Sequence, residues 1–312
     1  LTKIVLYSII LYRIKSRKET KQMKKLLLVV VSLVGVLSFS NGNSFNKVEY
    51  THIRNATGIL NYGGKKILID PFFAPKGIYS GFEGTYNSKE RNPLISLPMS
   101  IKEIMKDIDA VIVTHTHDDH WDEYAQKEIN KNILIFVQNE SDKKLISSQG
   151  FKNVKILGEN TKFGNITMIK TTGQHGTDDM YKIPEIAKKA GEAMGVVFKS
   201  KNYSTIYLIG DTIWRKEVED VVKTQKPDII IMNTGDAQFA QESPFDDKSI
   251  IMGKLDVERM YHFAPNTKLI AVHMDTVNHG TLTRKELRTF VEIKNLDTNR
   301  IFIPNDGEVL PF

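Results

Sequence analysis

The chain contains no cysteine. Disulfide staples, thiolate metal ligands and a cysteine nucleophile are thereby excluded. With 312 residues it can bury a sizeable core without staples. Charge of one sign is also lacking over most of its length. Removing the eight basic residues and one acid of positions 1–40 from totals of 43 and 37 leaves 35 against 36, a net charge of −1 for 41–312. The formal +6 of the whole chain belongs to its front end, and overall charge implies no groove for nucleic acid. Low-complexity tracts and exact internal repeats are missing too.

One long apolar run is present, Leu26 to Phe39, fourteen residues. It is too short for a comfortable membrane span. Met23-Lys24-Lys25 precedes it and the small residues Ser38 and Ser40 follow, the pattern of a secretory signal over 23–40. Residues 1–22 sit awkwardly in front of such a signal and begin with Leu1. They read as an upstream extension from the choice of start site, with translation beginning at Met23. The expected product is an exported bacterial domain over 41–312, periplasmic or secreted, with no stable membrane span after signal cleavage.

Short strands are expected at Val48–Arg54, Gly58–Tyr62 and Lys65–Asp70, with Gly63-Gly64 as a hairpin turn. Residues 72–98 hold Phe72, Phe73, Tyr79, Phe82 and Tyr86 among glycine and proline, without period. A loop this long is either a pocket wall or an excursion pinned by its aromatics. Helix and strand then alternate. Helices are expected at Ser100–Lys106, with Ser100 and Glu103 forming a capping box, and at 122–129, 141–148, 218–223, 257–263 and 284–294. Strands are expected at 110–113, 133–137, 154–157, 166–171, 196–199, 205–209, 228–232, 269–272 and 301–303. Met180–Met194 reads as a Lys/Glu-rich insertion, helical or rimming a pocket. Each half supplies strands and then strand–helix units, which predicts two similar halves with sheets inside and helices outside.

Chemistry concentrates where the apolar run ending at Val113 meets His115, His117, Asp119 and His120. On extended backbone His115 and His117 project the same way, and a turn can return Asp119 and His120 beside them. Imidazole with carboxylate suits zinc, manganese or iron. Three more candidates each follow a strand: His175, Asp211 and His273. Ligands at strand ends converge well, because rigid sheets hold them.

The series His115-x-His117-x-Asp119-His120, then His175, Asp211 and His273, resembles the metallo-β-lactamase superfamily across nearly all of 41–312. The segments Thr51–Thr57, Gly63–Pro71 and Pro304–Glu308 look like the branch containing ascorbate-6-phosphate lactonase and the phospholipase D of N-acyl ethanolamine phospholipids. The resemblance implies an α/β four-layer αβ/βα sandwich, with two central mixed sheets and helices outside. It implies two divalent metal ions, zinc first, with manganese or iron also fitting. His115, His117 and His175 would hold one, Asp119, His120 and His273 the other, and Asp211 would bridge them. Zinc β-lactamases with a cysteine near one metal are not matched, and His117 argues against oxygen-reducing diiron chemistry. The implied reaction is hydrolysis of a small ester, lactone or phosphodiester by a metal-bridging hydroxide, with Asp119 also taking a proton from the water. The alternatives are an RNA-processing nuclease of the same superfamily and a non-catalytic metal-binding module.

Other polar residues have expected places. His279, six residues past His273, is a candidate to protonate a leaving group or bind substrate. Asp70 ends a core strand and can orient a ligand histidine through its free N–H. His52 reads as structural, His262 as partly buried packing, and Trp121 and Trp214 as packing. The expected partner is a small-molecule substrate; no nucleic acid is expected, and self-association into a homo-oligomer is left open.

Overall fold

The computed structural model describes residues 46–312. The expected extension 1–22 and signal 23–40 lie outside the described residues. Two seven-stranded sheets form the body. The first contains β1 (Glu49–Arg54), β2 (Thr57–Tyr62), β3 (Lys65–Ile69), β4 (Ala110–Ile112), β5 (Leu134–Val137), β6 (Asn153–Ile156) and, from the far end of the chain, β14 (Val309–Pro311). Its order is β14-β1-β2-β3-β4-β5-β6, antiparallel as far as β3 and parallel beyond. The second contains β7 (Thr161–Phe163), β8 (Ile166–Gly173), β9 (Ala193–Lys199), β10 (Ile206–Leu208), β11 (Ile229–Asn233), β12 (Lys268–Val272) and β13 (Ile301–Phe302). It runs β13-β12-β11-β10-β9-β8-β7, parallel from β13 to β10 and antiparallel from β10 to β7.

Side-chain alternation explains the stacking. Ile67, Ile69, Ala110 and Ile112 of one sheet share a buried cluster with Ile206, Leu208, Ile229, Ile231, Ile270 and Val272 of the other. The intervening residues face outward, as a period of two requires. Leu68, Val111 and Ile135 pack under α1 (Ile101–Ile104), α2 (Glu123–Glu128) and α3 (Glu140–Ser148). Tyr207, Ile230 and Met232 pack under α6 (Lys216–Gln225), α7 (Lys254–Phe263) and α8 (Arg284–Ile293). The result is the expected helix–sheet–sheet–helix sandwich. The expected insertion is two short helices, α4 (Asp178–Tyr181) and α5 (Pro184–Ala190), before β9.

Three expectations need correction or addition. Strands β7 and β14 were not expected; one is a short polar edge segment, and the other carries a proline on an edge, where no ladder hydrogen bond is lost. The helix at Ser100 is shorter than expected, although its capping box is present. His262 is exposed rather than partly buried. Trp121 is buried against Phe151, and Trp214 packs on Phe263, as expected.

The 72–98 loop is anchored from below by Arg54. Its buried guanidinium donates to the carbonyls of Ile95 (2.9 Å), Phe72 (2.7 Å) and Ala74 (2.9 Å), and lies over the Phe72 ring. Arg54→Ala leaves those carbonyls unpaired in the interior, and we expect a loss of about 3–5 kcal/mol in urea unfolding. A loss below about 1 kcal/mol would show that water replaces the guanidinium.

His52 is buried on β1, with Nε2 3.5 Å from Asp306. Burial pushes the ring below its ordinary pKa, and outweighs Asp306, which acts the other way. The folded chain thus resists protonation that the unfolded chain accepts, so stability present above about pH 6.5 falls as the pH drops below it. The urea midpoint of the wild type should lose ground to that of His52→Gln between about pH 7.5 and pH 5. A gap independent of pH would contradict this account.

Candidate metal centre

The ligand candidates stand on loops at the ends of the strands. The β4 strand delivers His115, His117, Asp119 and His120; β8 delivers His175; β10 delivers Asp211; β12 delivers His273. In α/β sheets the carboxyl ends of the strands are where ligands bind. Gly210 makes the last turn before Asp211 at a φ of 77°, and a Cβ there would collide with the Met194 carbonyl. All seven expected ligands converge. Donor atoms of His115, His117 and His175 lie within 4.8 Å of one another, as do those of Asp119, His120 and His273. Asp211 Oδ2 stands between, 3.3 Å from His120 Nε2, 3.4 Å from His175 Nε2 and 3.6 Å from His273 Nε2.

The hydrogen bonds around these rings dictate where their lone pairs point. Asp70, at the end of β3, accepts from the Thr114 N–H (2.7 Å), the Thr114 hydroxyl (2.7 Å) and His120 Nδ1 (2.9 Å). His120 therefore carries its proton on Nδ1 and bares Nε2. With its proton given to Asp70, Thr114 Oγ1 accepts from His115 Nδ1 (3.1 Å), which bares His115 Nε2. His117 Nε2 donates to the Lys189 carbonyl at the end of α5 (2.9 Å), leaving Nδ1 bare. Bare His115 Nε2 then faces bare His117 Nδ1 at 3.1 Å, and bare His120 Nε2 faces His273 Nε2 at 3.2 Å. Among the described residues neither ring nitrogen of His175 has a hydrogen-bond partner. Buried lone pairs pointing at one another and at carboxylate oxygens repel unless a cation lies between them. The donor set fits divalent metal.

Electrostatics agree. Burial and the neighbouring histidines push His115 well below its ordinary pKa, and burial with His175 pushes His117 to about 4, so both rings are neutral ligands. Burial opposes ionisation of Asp119 and Asp211, but His120 and His273 outweigh it and hold both carboxyls well below the ordinary range. For His120 burial is likewise outweighed, by Asp211, Asp119 and Asp70, and its pKa is raised. With no cation bound, the two carboxylates would draw a second proton onto His120 Nε2; a bound metal would take that place and leave Nε2 bare.

Three supporting groups were not foreseen. Asn55 Nδ2 lies 3.1 Å from Asp119 Oδ2 and 3.2 Å from His273 Nε2, while its backbone carbonyl accepts from the backbone N–H of His273 at 2.9 Å. Asn233 Nδ2 donates to Asp211 Oδ1 at 2.6 Å. The third is the Lys189 carbonyl. Asparagine at a strand end reads as a turn former, and a carbonyl has no sequence signature. Asn55 follows β1 and Asn233 is the last residue of β11, close to the strand-end placement of the candidate ligands, and that was the available signal.

A cavity of about 300 Å³ is lined by Phe72, Tyr79, Ser80, Gly81, Phe82, Glu83, Asn92 and Asp118; none of the seven candidate ligands lines it, and it is tied to them through Asp118, between His117 and Asp119 in the chain, and through Phe82, which packs on His279. The 72–98 loop is thus a pocket wall. His279 lies behind it, its ring 5.0 Å from Phe82 and edge-on. Burial lowers its pKa to about 4, against the pull of Asp119. The ring is therefore neutral near pH 7 and offers a hydrogen bond, not an imidazolium proton.

Asp70 orients His120 without reaching the ligand cluster itself. Asp70→Ala should weaken metal affinity about 10–100-fold in chelator competition while the chain stays folded. Affinity equal to wild type would show that the His120 tautomer is set elsewhere.

Residues 65–278 match the family described as Beta-lactamase superfamily domain. The chain is 44% identical over 265 residues to the UPF0173 protein YddR of Bacillus subtilis (strain 168), covering 85% of this chain and 100% of that protein. It is similar to the solved structure of a possible metal-dependent hydrolase from Veillonella parvula DSM 2008, with 48% identity and a TM-score of 0.82, covering 85% of this chain and 99% of that one. It is also similar to an isothiocyanate hydrolase from Delia radicum gut bacteria, with 42% identity and a TM-score of 0.80 over the same shares. Sheet order, ligand geometry and these similarities agree: the chain belongs to the metallo-β-lactamase superfamily, in the UPF0173 family of metal-dependent hydrolases.

Proposed function

We propose that this protein is a dinuclear metal hydrolase of small, uncharged substrates with an electrophilic carbon: isothiocyanates first, then lactones and esters. The observation that carries the reading is the pair of ligand triads with Asp211 Oδ2 between them; an aromatic cavity, whose Phe82 packs on His279, supports it. His115, His117 and His175 would hold one divalent ion, and Asp119, His120 and His273 the other. Zinc suits this nitrogen-rich set best; manganese and iron also fit. Bound divalent ions acidify water to give a nucleophile near neutral pH and polarise the substrate as Lewis acids.

The chain's own residues do the rest. Asp119, besides holding metal, would receive a proton from the attacking water. Neutral His279 meets a leaving atom as a hydrogen-bond donor. Phe72, Tyr79 and Phe82 exclude water and receive the apolar part of the substrate. Isothiocyanates head the list because the isothiocyanate hydrolase from Delia radicum gut bacteria is 42% identical across nearly its whole length. Among the described residues lining the cavity there is no lysine or arginine, whereas Glu83 and Asp118 bring acids. That disfavours anionic substrates, including the phosphodiesters and phosphorylated lactones of the branch that the sequence resembles. With the net charge of −1 over 41–312, it also disfavours an RNA-processing role. The signal pattern over 23–40 supports export from a bacterial cell.

The test is turnover of benzyl isothiocyanate, a lactone, a carboxylic ester, a thioester and a phosphodiester by metal-loaded wild type and Asp211→Ala. We expect hydrolysis of at least one uncharged carbon substrate, weak or no phosphodiester hydrolysis, and a fall in kcat/KM of about 1,000-fold or more in the variant. Preference for the phosphodiester would contradict the substrate class. Unchanged turnover in Asp211→Ala would return the site to a non-catalytic binding role.

A further inference from the structure

The wall of the cavity and the ligand loop that ends at His279 are separate in sequence, yet one side chain ties them together. Asn278 is 2% exposed and has every hydrogen-bonding capacity of its amide in use. Its Oδ1 accepts from the Phe82 N–H (3.0 Å) and from Asn92 Nδ2 (2.8 Å). Its Nδ2 donates to Thr85 Oγ1 (2.9 Å) and to the Tyr86 carbonyl (2.6 Å). Its backbone N–H donates to Asn92 Oδ1 at 2.8 Å, so that Asn92, equally buried, answers with both ends of its own amide. Thr85 Oγ1 passes its proton to the Phe82 carbonyl at 2.6 Å and closes the ring of bonds.

No other side chain reproduces this pattern. Aspartate keeps the acceptors and loses both donors; leucine keeps the volume and loses all four bonds. What the ring of bonds holds is the segment 79–92, which carries Tyr79 and Phe82 into the cavity. Phe82 is at once the residue clasped, the cavity wall and the edge-on cover of His279. An aromatic face placed within a few tenths of an ångström decides which substrate fits, so the clasp belongs to specificity as well as to folding.

We propose that Asn278 is the positioning residue of the substrate cavity. By clasping Phe82, Thr85, Tyr86 and Asn92 it fixes the aromatic wall against which the apolar part of the substrate is held. The kinetic part of its test rests on the hydrolase reading above; the proteolytic part does not.

The experiment uses the full chain, metal-loaded, as wild type, Asn278→Ala, Thr85→Val and Thr85→Ser. Two readouts are taken: trypsin cleavage after Lys89 and Arg91, and kinetics on methyl and benzyl isothiocyanate, with metal content measured in parallel. For Asn278→Ala we expect cleavage at least about fivefold faster, unchanged metal content, and KM for the benzyl substrate raised about tenfold with kcat within about threefold. Thr85→Val should move the same way by a smaller factor, and Thr85→Ser, which keeps the hydroxyl, should restore wild-type values. If Asn278→Ala does not fold, the Thr85 pair decides. Cleavage and KM unchanged in these variants would overturn the proposal. So would a parallel loss of metal and kcat with KM unmoved, the signature of a merely structural role. If the wild type hydrolyses neither isothiocyanate, that substrate class fails, while the cleavage rates still decide the clasp.

Discussion

The structure depends on one electrostatic constraint: buried nitrogen lone pairs and carboxylate oxygens are made to point at one another. Asp70 begins the chain of causes. It sits at the end of a central strand, fixes the Thr114 backbone and hydroxyl, and accepts a hydrogen bond from His120 Nδ1–H. Through Thr114 the same carboxylate sets the tautomer of His115. The folding of two sheets then brings His175, Asp211 and His273 against these rings, although repulsion disfavours the convergence. Burial of the apolar faces between the sheets stabilises the arrangement that the site alone would resist.

The sandwich distributes the work unevenly. The ladders of the two sheets hold the ligands, where strand ends are rigid and a displacement of a few tenths of an ångström matters. The irregular segment 72–98 makes the cavity wall. That wall is not loose, since Arg54 takes three of its carbonyls from below and Asn278 clasps it from the side. The α5 helix contributes differently, by presenting the Lys189 carbonyl to His117 and so joining the rim of the site to a ligand tautomer.

Much of this was legible before the fold was known, and the reasons are physical. Ligand histidines follow apolar strands in a fixed order, so His115, His117, Asp119, His120, His175, Asp211 and His273 could be named together. Asp70 was legible because a ligating imidazole needs an acceptor for its second nitrogen. Alternating periods of two and 3.6 residues pointed to two halves with sheets inside and helices outside, and the resemblance to the superfamily implied the four-layer sandwich. β7 and β14 escaped because one is polar and the other holds a proline, so neither shows the apolar run that marks the equally short β4, β10 and β13. Asn55, Asn233 and Asn278 escaped because asparagine is a common turn residue and its partners lie far away in sequence; Asn278 and Asn92 are 186 positions apart. His262 was misplaced because its aromatic neighbours suggested burial that the outer face of its helix does not give.

We expect these seven residues to form two metal sites rather than one. Elemental analysis of the natively purified chain, with anomalous diffraction to locate the ions, is the decisive measurement. Two divalent ions per chain are expected, one among His115, His117 and His175, the other among Asp119, His120 and His273, with Asp211 on both. A single ion, or ions bound away from Asp211, would contradict this arrangement.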